Sequence, residues 1–215
     1  MVLLNMPEGK RLDWYLAQEE RLAKDVTEDT LFFWSVSPTV IYGRHQVLEN
    51  EVNMTYCQEN GIQVIQRKSG GGCVYADEGN LMISYITPSL HAEQAFQFFL
   101  SMLSFALRQL GYPAVTTAHN DVLIAGRKVS GSACYALPTG TIVHATMMWD
   151  VNVEALERAI TPSVEKLQKH AVQSVRQRVT NLKSLSNTNI VNISELQQRL
   201  AKEMLKYTEK LNPIV

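Results

Sequence analysis

The sequence predicts an α+β fold, a mixed and mostly antiparallel sheet flanked by helices. Three observations carry that reading. Residues 121–150 hold successive β-runs joined at Ala125-Gly126 and Pro138-Thr139-Gly140, the mark of hairpins. Residues 92–110 bring Ala95, Phe98, Phe99, Met102, Leu103, Phe105, Ala106 and Leu110 onto one wide helical face, stopped by Gly111 and Pro113. Elsewhere helices and strands mix without the regular βαβ alternation of a doubly wound sheet.

The elements follow in order. Leu12, Tyr15, Leu16, Glu19 and Leu22 share one face of a helix over 11–24. Residues 31–36 and 39–42 read as β-runs around Ser37-Pro38. Residues 49–60 read as a helix closed by Gly61 at the C′ position. Short strands over 64–68 and 74–76 flank three glycines, and 81–86 is another strand. A hairpin over 121–124 and 127–135 continues into a strand over 141–150, then a short helix over 153–160. Ser194-Glu195-Leu196-Gln197 has capping-box spacing and opens a last helix with Leu196, Leu200 and Met204 on one face.

No repeat, low-complexity tract or linker divides the 215 residues, so 1–215 is expected to be a single domain with a sizeable core. A net charge of −1 offers no field for nucleic acid or an anionic membrane. No apolar run approaches the roughly 20 residues of a membrane span. The apolar start is too short for a secretory signal, so the expected compartment is the cytoplasm. Cys57, Cys73 and Cys134 form no C-x-x-C and read as reduced thiols.

The stretch "RKSGGGCVYADEGN", residues 67–80, places three glycines beside Arg67 and Lys68. Neither the P-loop nor the G-x-G-x-x-G pattern is present. What remains is a strand–glycine–strand turn. Either it is a tight turn with exposed basic side chains, or its backbone amides meet an anion at close range with Arg67 as a planar partner. In "HNDVLIAGRKVSGSACY", residues 119–135, Asp121 and Lys128 lie on facing strands of the expected hairpin. They form either a cross-strand ion pair or a site for Mg²⁺ and phosphate. The small residues 130–133 leave room for a ligand.

Five segments in order carry a resemblance: "VIYGRHQ" (40–46), "RKSGGGCVYADEGNLMIS" (67–84), "NDVLIAGRKVSGSA" (120–133), "HATMMWD" (144–150) and "SVRQRVTNL" (174–182). Together they resemble the lipoate–protein ligase A family over about residues 11–182. The resemblance implies a core shared with biotin ligases and similar to class II aminoacyl-tRNA synthetases. It implies ATP-dependent activation of lipoate to lipoyl-adenylate, with Mg²⁺, and transfer to one lysine of an apo lipoyl domain. Carriers would be 2-oxoacid dehydrogenase E2 subunits or the glycine cleavage H protein. Carried over, Gly70, Gly71, Gly72, Cys73, Val74 and Tyr75 would line the adenylate and Arg67 would face its phosphate end. Asp121 would hold Mg²⁺ or adenylate, and Lys128 would contact both the lipoyl carbonyl and the α-phosphate as the catalytic residue. His144, Ala145 and Thr146 would border the acyl-adenylate. The lipoyl chain needs an apolar tunnel, for which Ile83, Tyr85, Met147 and Trp149 are candidates or plain core.

The chain departs from the family pattern in three ways. "ADEGN" has Ala76 where the family has His, Gln66-Arg67 replaces an arginine pair, and the C-terminal accessory domain usual in self-sufficient ligases is not expected after the last helix. A second function class therefore stands: an ATP-independent octanoyl or lipoyl transferase working through a cysteine thiolate, Cys73 or Cys134. At "AITPSVEK" the chain offers Ser163 in place of the cysteine one transferase group uses. The chain would otherwise be the catalytic subunit of a split ligase with a separate accessory subunit, or a non-catalytic binding module.

Overall fold

The computed structural model describes residues 1–89, 91–117, 120–160, 178–185 and 188–211. Ser163 and part of the 174–182 segment lie outside these described residues. The chain opens with β1 (Val2–Leu4), α1 (Leu12–Lys24), β2 (Thr30–Trp34) and β3 (Thr39–Tyr42). Then come α2 (Leu48–Glu51), α3 (Met54–Glu59), β4 (Gln63–Gln66), β5 (Val74–Ala76) and β6 (Asn80–Thr87). α4 (Ala92–Gln109) leads to β7 (Val115–Thr116), β8 (Asp121–Ile124), β9 (Arg127–Leu137) and β10 (Gly140–Met148). Three helices follow: α5 (Val153–Ala159), α6 (Leu182–Leu185) and α7 (Ile193–Leu211). No helix among the described residues is long and apolar enough to cross a membrane.

The main sheet has seven strands in the order β1-β2-β6-β10-β9-β8-β7. Only β1 and β2 pair in parallel, so the mixed, mostly antiparallel expectation holds. β3 sits between β4 and β5 in a second, three-stranded sheet. The period of two divides β6 and β10 between two apolar cores. Leu81, Ile83 and Tyr85 of β6, with Val143, Ala145 and Met147 of β10, pack with α4 and α7. Met82 and Ile86, with Ile142, face α1 through Leu12 and Tyr15.

Three local expectations are corrected. The helix over 49–60 is interrupted: Val52 is extended and bridges Ile160, and Asn53 caps α3 by accepting from the Tyr56 amide. A pairing that distant in sequence overrides local helical preference. β4 and β5 do not form a hairpin around the glycines. Both pair with β3, parallel and antiparallel respectively, so the loop crosses over that strand. The cap of α7 is Asn192, whose Oδ1 accepts from the Glu195 amide while Glu195 accepts from the Val191 amide. The capping pattern is therefore shifted two residues from the Ser194 reading.

Candidate active site

The site forms where the α1 face of the sheet meets the glycine loop. Alternation along β10 turns His144 and Thr146 toward this side and Val143 and Met147 toward α4. A cleft here has an apolar wall of Leu12, Leu16, Trp34, Ile41, Val74 and Met82. Its polar lining includes Arg67, Asn120, Lys128, Ser132, His144 and Thr146. A second cleft adjoins it through Gly72, Cys73, Val74, Lys128 and Thr146, and adds Tyr75, Asp121 and Arg178. Lys128 thus stands where the two clefts meet, and the second cleft sets Asp121 and Arg178 among apolar residues such as Leu123, Met148, Leu156 and Ile160.

Ile83, Tyr85, Met147 and Trp149, the tunnel candidates, are core instead. All four are buried in the cluster with α4 and α7, on the opposite face. One residue of offset along a strand moves a side chain to the other side of the sheet, and the sequence does not say which side carries the ligand.

Lys128 Nζ lies 2.6 Å from Asp121 Oδ1, with both side chains about 30% exposed (31% and 28%). They are not direct cross-strand partners. Asp121 faces Gly131, and a register shift between Val122 and Leu123 pairs Lys128 with Leu123. The lysine therefore runs along its own strand to reach the carboxylate. Gly131 makes this path: a Cβ there would stand 2.7 Å from both Cε and Nζ of Lys128. The space left by that small residue is filled by the lysine itself. The backbone of Lys128 is pinned in turn. Its carbonyl accepts from the Thr180 amide, and Arg127 donates to the Val179 carbonyl at 2.6 Å. The described part of the 174–182 segment thus acts as a latch behind the lysine.

Arg67 is 6% exposed. Its guanidinium donates to the carbonyls of Ile41 (3.1 Å), Gly70 (3.2 and 2.7 Å) and Gly72 (2.7 Å). Burial lowers its pKa, and the Cys73 thiol opposes that shift. The fork ties the glycine loop into its turn. Lys68 points elsewhere, to Glu20 of α1 at 2.8 Å on the surface. Of the three loop glycines only Gly71 has a left-handed backbone, φ +91. Sites for a Cβ on Gly70 and Gly72 meet nothing within 4 Å. The close approach that glycine permits is at Gly43, whose Cβ would fall 2.3 Å from the Gly71 carbonyl oxygen. Ala76, in the place of the family's histidine, is fully buried among apolar neighbours.

A buried chain of polar groups crosses behind the first cleft. Trp34 Nε1 donates to Ser84 Oγ at 2.8 Å, and Ser84 Oγ donates to Glu19 Oε1 at 2.5 Å. Glu19 Oε2 lies 3.0 Å from His144 Nδ1, and His144 Nε2 lies 2.8 Å from Ser69 Oγ. Sequence reasoning missed Glu19 as a site residue, with Ser69, Ser84 and Trp34. The signal for Glu19 was present: a carboxylate on the apolar stripe of α1, 2% exposed.

The clefts bring together Arg67, Gly72, Cys73, Val74, Tyr75, Asp121, Lys128, His144, Ala145 and Thr146 from the sequence reading. Gly70 and Gly71 shape the loop and line neither cleft. Tyr75 is buried, and desolvation, then Asp77, pushes its phenol up. Cys134 packs toward α4, its thiol donating to the Ala92 carbonyl at 3.8 Å. Burial pushes that thiol up to about 11, so Cys134 is no thiolate near neutral pH. Among the described residues no three His, Cys, Asp or Glu side chains gather as metal ligands.

The fold is that of the lipoate and biotin protein ligase class. A bi-partite lipoate protein ligase of Thermoplasma acidophilum, solved in a study that includes its E2 lipoyl domain, superposes with a TM-score of 0.83 at 27% identity. That match covers 96% of this chain and 82% of the archaeal one. Biotin protein ligase of Aquifex aeolicus shares the fold alone, at 15% identity and a TM-score of 0.50. The lipoyl protein ligase A/B catalytic domain matches residues 12–205, and the chain belongs to that family. Lipoate-protein ligase LplJ of Bacillus subtilis is 37% identical over 173 residues, 78% of this chain and 51% of the relative. Lipoate–protein ligase 1 of Staphylococcus aureus is 33% identical over 200 residues, 90% of this chain and 60% of the relative. The chain spans about half the length of the curated relatives it matches.

Proposed function

We propose that residues 1–215 act as one catalytic domain that activates lipoate with ATP and passes the lipoyl group to a lysine of an apo lipoyl domain. The observation that carries this is Lys128, held 2.6 Å from Asp121 where the two clefts meet. The first cleft, walled by Leu12, Leu16, Trp34 and Met82, suits an acyl chain, and the second, with Asp121, Lys128 and Arg178, suits the phosphates of a nucleotide. In the first step a lipoate carboxylate oxygen attacks the α-phosphorus and pyrophosphate leaves. In the second the carrier amine attacks the acyl carbonyl, the bond to AMP breaks and the nitrogen loses a proton. The first step shifts negative charge onto the phosphate oxygens, the second builds it on the acyl carbonyl oxygen and the departing phosphate, and the ammonium of Lys128, which lines both clefts, would stabilise each. Carrier lysine must arrive neutral, and the same ammonium disfavours its protonated form.

Asp121 fits one contact to Mg²⁺: its Oδ1 is buried, has Lys128 as partner, and that ion takes one or two carboxylates beside phosphate oxygens. The ion would neutralise charge on the triphosphate. E2 lipoyl domains and the H protein are the carriers proposed, in the cytoplasm. The archaeal bi-partite relative, covered over 82% of its length, favours a further reading in which a separate accessory subunit completes the ligase. Intact mass of an apo lipoyl domain after incubation with the protein, lipoate, ATP and Mg²⁺ tests both. A gain of one lipoyl group marks a self-sufficient ligase. A gain only on adding an accessory subunit marks the split form. No gain in either condition overturns the proposal.

A further inference from the structure

The hydrogen-bonded chain from Trp34 to Ser69 is continuous. The Trp34 indole can only donate, so Ser84 must turn its own hydrogen to Glu19. Glu19, as a carboxylate, accepts from Ser84 on one oxygen and from His144 Nδ1 on the other. His144 Nε2 in turn lies 2.8 Å from Ser69 Oγ, the direction of that bond following the ring's tautomer. Every polar atom along the path has a partner, though Glu19 and Ser69 are each 2% exposed and Ser84 is fully buried. The path joins β2, β6, α1 and β10 to the residue before the glycine loop.

Its two ends differ. At one, Trp34 lies in the apolar wall of the acyl chamber, and Leu12 and Leu16 in that wall share α1 with Glu19. At the other, Ser69 precedes Gly70-Gly71-Gly72. We propose that Glu19, His144 and Ser69 form a positioning relay that sets the glycine loop from the acyl-chamber helix α1. The functional meaning rests on the ligase reading above, with the loop as the nucleotide side. Ser69, His144 and Glu19 also have the nucleophile–base–orienter order of a covalent catalyst. Ser69 is 2% exposed and borders a separate cleft beside α1, not the two that hold Lys128, which assigns the three to positioning instead.

The relay predicts a graded variant series. Glu19→Ala and Ser69→Ala break it at different points. Glu19→Gln keeps it connected: the amide oxygen accepts from Ser84, the amide nitrogen donates to His144 Nδ1, and His144 Nε2–H then donates to Ser69. The first readout needs no activity. In a ¹H–¹⁵N correlation spectrum, Glu19→Ala and Ser69→Ala shift or broaden the Gly70–Gly72 amide peaks while peaks from α4 stay in place, and Glu19→Gln restores the loop peaks. The second readout is kinetic. Apparent KM for ATP rises about tenfold in both alanine variants, kcat changes less than threefold, and Glu19→Gln recovers most of the loss. Unmoved loop peaks in both alanine variants overturn the relay. So does a fall in kcat at constant KM, or an acyl adduct on Ser69 by intact mass. If the wild-type protein transfers no lipoyl group even with an accessory subunit, the ligase reading falls and the loop peaks alone decide the relay.

Discussion

The two faces of strands β6 and β10 make a controlled comparison, because they share one backbone. Residues 81, 83 and 85, with 143, 145 and 147, point into a dry core against α4 and α7. Residues 82 and 84, with 144 and 146, point toward α1 and the clefts. The first face carries apolar side chains; the second also carries Ser84, His144 and Thr146. The strands thus separate holding the fold from shaping the site, one residue at a time. Substitutions on the two sides should separate in the same way.

The largest effect is expected on the site side. Lys128→Ala should lower lipoyl transfer by about three orders of magnitude, the scale of losing a fixed charge-stabilising donor. Tm should stay within about 3 °C, because the pair it breaks is a partly exposed one. Mass-based transfer assays and a melting curve check both. A gentler break is Gly131→Ala. The new Cβ collides with the flexible end of Lys128 and with nothing stiffer inside 3.5 Å. Transfer should fall about a hundredfold with Tm unchanged or raised, since alanine suits a strand better than glycine. Equal transfer in that variant would show that Lys128 can act from another position.

On the core side, Phe99→Ala removes a fully buried ring from α4 and should cost about 3–5 kcal/mol of stability by denaturant titration. Below its melting temperature the folded fraction should keep its specific activity, within about twofold. If activity falls while folded protein remains, the faces are coupled. The smallest effect is expected for Cys73→Ala and Cys134→Ala, each within about threefold of wild-type transfer. Complete loss in Cys73→Ala alone would revive a thiolate mechanism.

Much of the fold was legible because β8, β9 and β10 pair with sequence neighbours across short turns, and α4 is long and strongly periodic. The break at Val52 was not, since its partner Ile160 lies far along the chain. β1, three residues on the sheet edge, gave too short a pattern to read. In the site, the Asp121–Lys128 pair could be read, but the register shift and the role of Gly131 under the lysine could not. Period two announced that β6 and β10 have two faces. It could not say which one lines the clefts, so Ile83, Tyr85, Met147 and Trp149 stood open as tunnel or plain core until their packing with α4 and α7 made them core. Glu19 was the clearest clue left unread, a charge that α1 could bury only with partners.

Arg67 has a consequence for the polarity of the glycine loop. A trans peptide holds its C=O and N–H on opposite sides. Drawing the Gly70 and Gly72 oxygens onto the guanidinium therefore turns the amides of Gly71 and Cys73 away from it. The negative ends of those peptide dipoles are gathered around a permanent cation, and their positive ends are presented outward. An arriving anion would meet a surface already sorted by sign, with little dipole reorientation left to do.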